Sequence, residues 1–477
     1  MKTRPQRLLQ PQKLQQRITI NLLNTISIMK KFLIALAVLL SVQVADAQVK
    51  TPDAAQKALE KAVVASQDAK KATKVATWLK LATSYMDAYA APAGAAWLGA
   101  TKQDLALVMP GVQPLSTVQA DLSGEPCMKE IYEDKEFYYN QAGQIVLINI
   151  TKPVVEDALW SARDAYVKAY EVDVKQTKVK DITAGLSNIS KKLFEDGMNE
   201  YTLGNLEKSC NLLIKAAEAA ATAPLSQIDT TSLYNAGFIA WSLKDYETAK
   251  KQFEACLAVN YYYEDGEVFA RLADVYTNLG DDAAAGKILE DGFVKFPQSQ
   301  SILIGLINYY MTKSENPNRL FELITLAKKN EPNNPSLPYV EGNIFVELRK
   351  ADPENAETYV AKACEAYDSC AAVDPDYEFG HIGKGIMYYN IAIELQEKAA
   401  NELDDAKWAV LNDQFTAALK NAREPFEKAY NVSKDDSLRV NVAEYLKNIY
   451  YRFSSEGPEF EAGYKKYNEV VKTGRPL

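Results

Sequence analysis

The stretch EVFARLADVYTNLGDDAAAGKILEDGFVKFPQ, residues 267–298, decides the fold. Phe269, Leu272 and Tyr276 fall at i, i+3 and i+7, one apolar stripe of a helix, and Ala285, Leu289 and Gly292 make a matching stripe on a second. Ala273 and Gly292 are small, as two closely approaching helices require. Gly280-Asp281 supplies the turn between them, and Pro297 stops the second helix. A hairpin of two short helices cannot bury both stripes alone, so it is expected to stack on others like itself.

Working outward, the same pattern returns. Over 230–263 it is carried by Leu233, Gly237, Ala240, Ala249, Phe253 and Cys256, and over 189–223 by Leu193, Gly197, Leu213 and Ala216. After the 266–299 copy come 300–334, with Leu303, Leu306, Ile324 and Ala327, and 335–376, with Gly342, Ala363, Tyr367 and Cys370. The next pair, 378–434, is elongated: Trp408, Leu411, Phe415, Ala418, Ala422, Phe426 and Ala429 step by 3 and 4 along its return helix. Residues 437–477 hold an amphipathic helix with Leu438, Val442 and Leu446, then a short one from about Glu459 to Lys472. They suit a terminal cap over the last apolar face.

Residues 48–188 depart from the pattern. Thr51-Pro52 opens a helix to about Gln67, and a second, from about Ala69 to Tyr89, carries Trp78, Leu81, Ala82 and Tyr85 in first-helix register. The matching second-helix residues, Ala162, Tyr166 and Ala169, follow only after an interruption at about 92–153. Its first part is rich in Gly, Pro and small polar residues. Its second reads as strands, KEFYY at 135–139 and IVLINI at 145–150, around a turn at 140–143. A β-hairpin inserted in a split repeat is expected, either as a contact loop or lid or as a structural cap.

At the N-terminus, Lys30-Lys31, an apolar run from Phe32 to Val44 and Ala45-Asp46-Ala47 read as a secretory signal over 29–47, cleaved near Ala47. Residues 1–28 precede a complete signal with its own Met and are expected to be a mis-assigned start. No uninterrupted apolar run reaches the ~20 residues of a membrane-spanning helix. Without residues 1–47, 47 basic side chains face 62 acidic ones, which argues against nucleic acid and anionic membranes as partners. Five cysteines are too few for a disulfide framework in a chain this long; Cys210, Cys256 and Cys370 sit at or beside small core positions.

Taken together, these residues resemble the tetratricopeptide repeat, a helix-turn-helix unit of roughly 34 residues, matched best over 233–297 and more loosely elsewhere. The resemblance implies an all-α, TPR-like α-solenoid of antiparallel helix pairs with a small β-hairpin insertion. It further implies a non-catalytic scaffold holding a protein or peptide in the groove lined by first helices. In that register Tyr234, Phe238, Trp241, Asp274, Asn278, Asn308, Tyr389 and Asn390 would face the partner. Some family members clamp a C-terminal carboxylate with Lys, Asn and Arg. Asn235 and Arg271 match clamp positions, but Glu267 stands where a Lys belongs, and Phe194 and Met198 replace two further members.

No catalytic, cofactor or metal motif is present. There is no Cys-x-x-Cys, His-Glu-x-x-His, phosphate loop or Gly-x-Ser-x-Gly, and the single histidine is His381. Asp281 and Asp404-Asp405 read as caps. A hydrolase using two carboxylates needs no local motif and stays as a third reading. A second is carbohydrate binding or nutrient uptake, raised by paired tyrosines at 138–139, 309–310, 388–389 and 450–451. Asp229-Thr230-Thr231 and Asp436-Ser437-Leu438 match a short O-glycosylation acceptor pattern. The expected setting is the periplasm or outer membrane.

Overall fold

The computed structural model describes residues 49–313 and 317–476; the expected signal and start segment lie outside the described residues. Among those described are eighteen α-helices and one four-stranded sheet. They divide into two compact units, with the boundary in the chain between Gly292 and Phe293.

The first unit opens with α1 (Pro52–Gln67), where Thr51 accepts a hydrogen bond from the Ala54 amide and Pro52 occupies the first turn. The second helix, α2 (Val75–Ala90), starts six residues later than the apolar spacing suggests. Asp68 accepts from the Lys70 and Lys71 amides, and that turn uses up the intervening residues. Its partner is α4 (Ala158–Val172): Leu81, Ala82, Ala162, Tyr166 and Ala169 share one core, so the repeat is split as its residues imply. Next come α5 (Val179–Thr202) with α6 (Leu206–Ala221), and α7 (Thr230–Ser242) with α8 (Tyr246–Ala258). Then α9 (Glu267–Asn278) is followed by α10 (Asp282–Lys295). In α9 and α10, Phe269, Leu272, Ala273, Ala285 and Leu289 are all buried, and Gly280 turns the chain at φ +81°. Tyr276 is only half-buried and donates to Glu254 at 2.7 Å.

Within the split repeat lie a short α3 (Lys102–Val108) and four strands, β1 (Ser116–Leu122), β2 (Glu125–Ile131), β3 (Lys135–Tyr139) and β4 (Ile145–Ile150). They pair antiparallel in chain order, so the expected hairpin is the second half of a larger meander. β1 is an edge strand exposed over most of its length, so the alternation of Val118, Ala120 and Leu122 buries little beyond Leu122. Tyr138 and Tyr139 point to opposite faces, yet both are buried, since α3 and Ala100 cover one face and Leu203 abuts the other. Glu130, buried among them, accepts hydrogen bonds from Tyr132 at 2.9 Å and Tyr139 at 3.0 Å and pairs with Lys102 at 2.5 Å.

The second unit continues the pairs: α11 (Gln300–Lys313) with α12 (Pro317–Asn330), and α13 (Ser336–Ala351) with α14 (Ala356–Val373). The long α15 (Glu378–Asn401) and α16 (Asp405–Val432) follow, then α17 (Asp436–Arg452) and α18 (Pro458–Thr473). α15 and α16 run 24 and 28 residues, the elongated pair expected. Tyr367 explains two small residues at once. A Cβ added to Gly342 or Gly383 would lie 2.6 Å or 2.5 Å from its ring, so first helices α13 and α15 approach it only as glycine. All five cysteines are free; Cys210, Cys256 and Cys370 are buried, as their core register implies. Asp404 caps α16 and Asp281 caps α10. Among the described residues no helix is long and apolar enough to cross a membrane.

Candidate partner-binding face

Tyr234, Phe238 and Trp241 are spaced i, i+4, i+7 along α7, and Glu267, Arg271 and Asp274 repeat that spacing along α9. Because α7 and α9 are successive first helices that touch, the two stripes meet. The Arg271 guanidinium lies 4.3 Å from the Trp241 ring centre and 5.5 Å from that of Phe238. Trp241 Nε1 donates to Asp274 Oδ2 at 2.5 Å, and Glu267 Oε1 accepts from Arg271 Nε at 2.8 Å. Arg271 is only 9% exposed, its guanidinium set between a carboxylate and two ring faces. That pairing also closes the carboxylate clamp, since the one matching cation is already neutralised by Glu267.

The stripe is graded in exposure. Phe238, Trp241 and Asp274 are partly exposed, and Asn278 is open to solvent, its Nδ2 donating to the Asp274 carbonyl at 2.8 Å. Tyr234 departs from its expected role: it is 3% exposed, held among Phe238, Phe253, Tyr261 and Tyr263. Burial and the nearby Glu267 charge push its hydroxyl well above the usual range, so it stays neutral.

In the second unit Asn308 lies half-buried on α11 and Asn390 half-buried on α15. Tyr389 cannot serve as a contact residue. It is fully buried, edge-on to Phe426 and Tyr445, with its hydroxyl accepting from Asn448 at 3.4 Å. Phe426 on α16 and Tyr445 on α17 close over it. The tyrosine pairs likewise form no common platform, because Tyr138, Tyr139 and Tyr389 are all core residues.

One residue that the apolar pattern passes over joins the preceding first helices: Tyr89 on α2 donates to Asp196 Oδ1 on α5 at 2.9 Å. Aligning Gly204-Asn205 with Gly280-Asp281 puts Asp196 at the register of Leu272, so an acid at an aliphatic position is the signal that marks it. Desolvation pushes its carboxyl up to about 6, against the opposing pull of the Tyr89 hydrogen bond and Lys192.

Among the described residues no three His, Cys, Asp or Glu gather to hold a metal ion. A depression of about 440 Å³ sits at the tip of the α15–α16 pair, lined by Glu402, Ala406, Lys407, Val410 and Leu411. Another, of about 540 Å³, runs along α12. Neither contains a facing pair of carboxylates.

Stacked helix pairs with an aromatic and ionic face across successive first helices define a helical-repeat protein of the kind that holds other chains. A family model described as tetratricopeptide repeat matches residues 230–262, which span α7, α8 and the start of the connection after them. Residues 230–262 thus carry a tetratricopeptide repeat, within a chain of stacked helix pairs. It is similar to the solved structure of YrrB, described as a TPR protein with an unusual peptide-binding site. That match is 20% identical and covers 46% of this chain and 96% of that one, with a TM-score of 0.31. A tetratricopeptide repeat protein from Parabacteroides merdae is 14% identical over 60% of this chain and 98% of its own, with a TM-score of 0.39. A TPR repeats protein from Bacteroides fragilis is 17% identical over 55% and 98%, with a TM-score of 0.26. No curated protein matches the sequence.

Proposed function

We propose that this chain is a non-catalytic scaffold, exported to the cell envelope, that holds a protein or peptide partner against the α7–α9 face. The observation that carries the reading is the junction of Phe238 and Trp241 with Arg271 and Asp274. It sets half-exposed aromatic rings and a partly exposed carboxylate side by side on consecutive first helices. Aromatic and Arg side chains of this kind supply most of the energy in protein recognition. The acidic balance of the chain favours neutral or basic partners. Export is supported by the basic, apolar and small-residue order of residues 30–47.

A photo-crosslinking residue at Asn278, on the open end of the face, is expected to capture a discrete partner in living cells. The same residue at Lys251, exposed on α8, is expected to capture none. Identical adducts from both positions would remove the reading. Amino-terminal sequencing of the native protein tests export: the expected first residue is Gln48, and an uncleaved chain retained in the cytosol overturns that part alone.

A further inference from the structure

The connection between α8 and α9 spans residues 259–266, about twice the length of the 296–299 connection after α10. Its path is unusual: Asn260, Tyr263 and Glu264 have φ of +55°, +53° and +44°, and Gly266 has +97°. Left-handed backbone is costly for a non-glycine residue, and asparagine tolerates it better than tyrosine. Such outliers persist where the surroundings fix them, and they cluster at functional segments. Here the strained path positions a ring. Tyr263 stacks on Tyr234 with centroids 3.9 Å apart and planes 15° from parallel, while Tyr261 meets Tyr234 edge-on at 6.4 Å. The connecting loop thus covers Tyr234 on the side that the helical Phe238 and Phe253 leave to it. Further along the same stripe, Phe238 and Trp241 remain partly exposed.

We infer that this connection is a plug in cis: Tyr263 occupies a slot over Tyr234 that, in the partner-bound protein, receives an aromatic side chain of the bound peptide. The inference rests on the reading of the α7–α9 face as the peptide-holding surface. The occupant states the ligand's chemistry, a flat uncharged ring with a polar para substituent. The plug is suited to leaving. Its backbone bonds are local, with the Gly266 and Glu267 amides donating to the Tyr263 carbonyl and the Val268 amide to that of Tyr262. Release also relaxes the left-handed Tyr263 and Glu264, which offsets part of the lost stacking. An incoming ring therefore replaces one stack with another while the bound peptide gains contacts to Phe238 and Trp241.

Tyr263→Gly removes the ring and suits the left-handed backbone, so the slot opens with the fold retained. The probe is p-cresol, the tyrosine side chain as a free molecule, read by saturation-transfer NMR on the full chain. Binding at least tenfold tighter than to the unsubstituted protein is expected, and adding Tyr234→Ala should abolish it. Equal binding by a variant whose thermal transition is intact overturns the slot. If Tyr263→Gly does not fold, Tyr263→Asn, also tolerant of this backbone, takes its place. Displacement is read in the unsubstituted protein with saturating N-acetyl-tyrosinamide. Faster amide hydrogen exchange over 259–266 is expected, and binding with unchanged exchange there refutes the plug. Neither probe needs the partner, so a failed plug leaves the Asn278 crosslinking result standing, and a failed crosslink leaves the slot measurable.

Discussion

Replacing Asp196 with asparagine is expected to stabilise the first unit at neutral pH and to do nothing in acid. Burial lifts this carboxyl from 3.8 to about 6. The folded state therefore binds its proton more tightly than the unfolded chain. Its contribution is most favourable below about pH 4, declines as pH rises through the window from about 4 to 6, and is flat above that. Two units at about 1.4 kcal/mol each give roughly 3 kcal/mol at neutral pH. Asp196 keeps part of its surface in water, which brings the expected gain to about 1–2 kcal/mol. Asparagine retains an oxygen for the Tyr89 hydroxyl, so that hydrogen bond survives. In a unit of this size the gain corresponds to about 3–6 °C. Scanning calorimetry of both proteins at pH 7.5 and pH 4 checks it, with the melting difference present at the first and gone at the second. A difference that is the same at both pH values, or a variant less stable at pH 7.5, refutes the assignment of a penalised carboxylate.

Gly383→Ala should cost about 1–2 kcal/mol in the second unit's thermal transition. The new methyl would sit 2.5 Å from the immobile Tyr367 ring, and overpacking outweighs the gain in helix propensity. Glu130→Gln should lower the urea midpoint at pH 7 by an amount worth about 1–2 kcal/mol and leave it unchanged at pH 3. Burial raises that carboxyl, but Lys102, Tyr132 and Tyr139 together pull it below its usual value, so its stabilisation exists above about pH 4.5 and fades as pH falls. Iodoacetamide on the native protein should modify Cys364 first, the one cysteine that is not buried. Burial pushes the Cys256 and Cys370 thiols to about 12, so mass spectrometry should find both unmodified until denaturant is added.

The helix pairs were legible because close packing leaves a signature of large and small residues at fixed spacing: Phe253 against Gly237 and Leu213 against Gly197 are that signature in space. β3 and β4 announced themselves as short aromatic and β-branched runs on either side of a turn at Gly143, at φ +74°. β1 did not, since an exposed edge strand owes its conformation to hydrogen bonds that any sequence can make. Register put Phe238, Trp241 and Asp274 on facing stripes of neighbouring helices, while burial of Tyr234 and Tyr389 depends on residues far along the chain, Tyr263 in one case and Tyr445 in the other. Spacing along one helix carries no information about what another segment lays over it.

The inserted sheet bears on the first repeat in one further way. Helices α2 and α4 pack as a pair although some 67 residues separate them, where a turn of about three would serve. Were that segment an unfolded loop, closing it would cost about 3 kcal/mol more than closing a tight turn, some four and a half doublings at about 0.6 kcal/mol each. The folded insertion lowers that cost by tying its start to its second half: Gly99 donates to the Ile145 carbonyl, Ile145 to that of Ala100, and Lys135 to that of Pro92. Its stability is thus transmitted to the end of the array: whatever binds and tightens the sheet also strengthens the pairing of α2 with α4, without touching either helix.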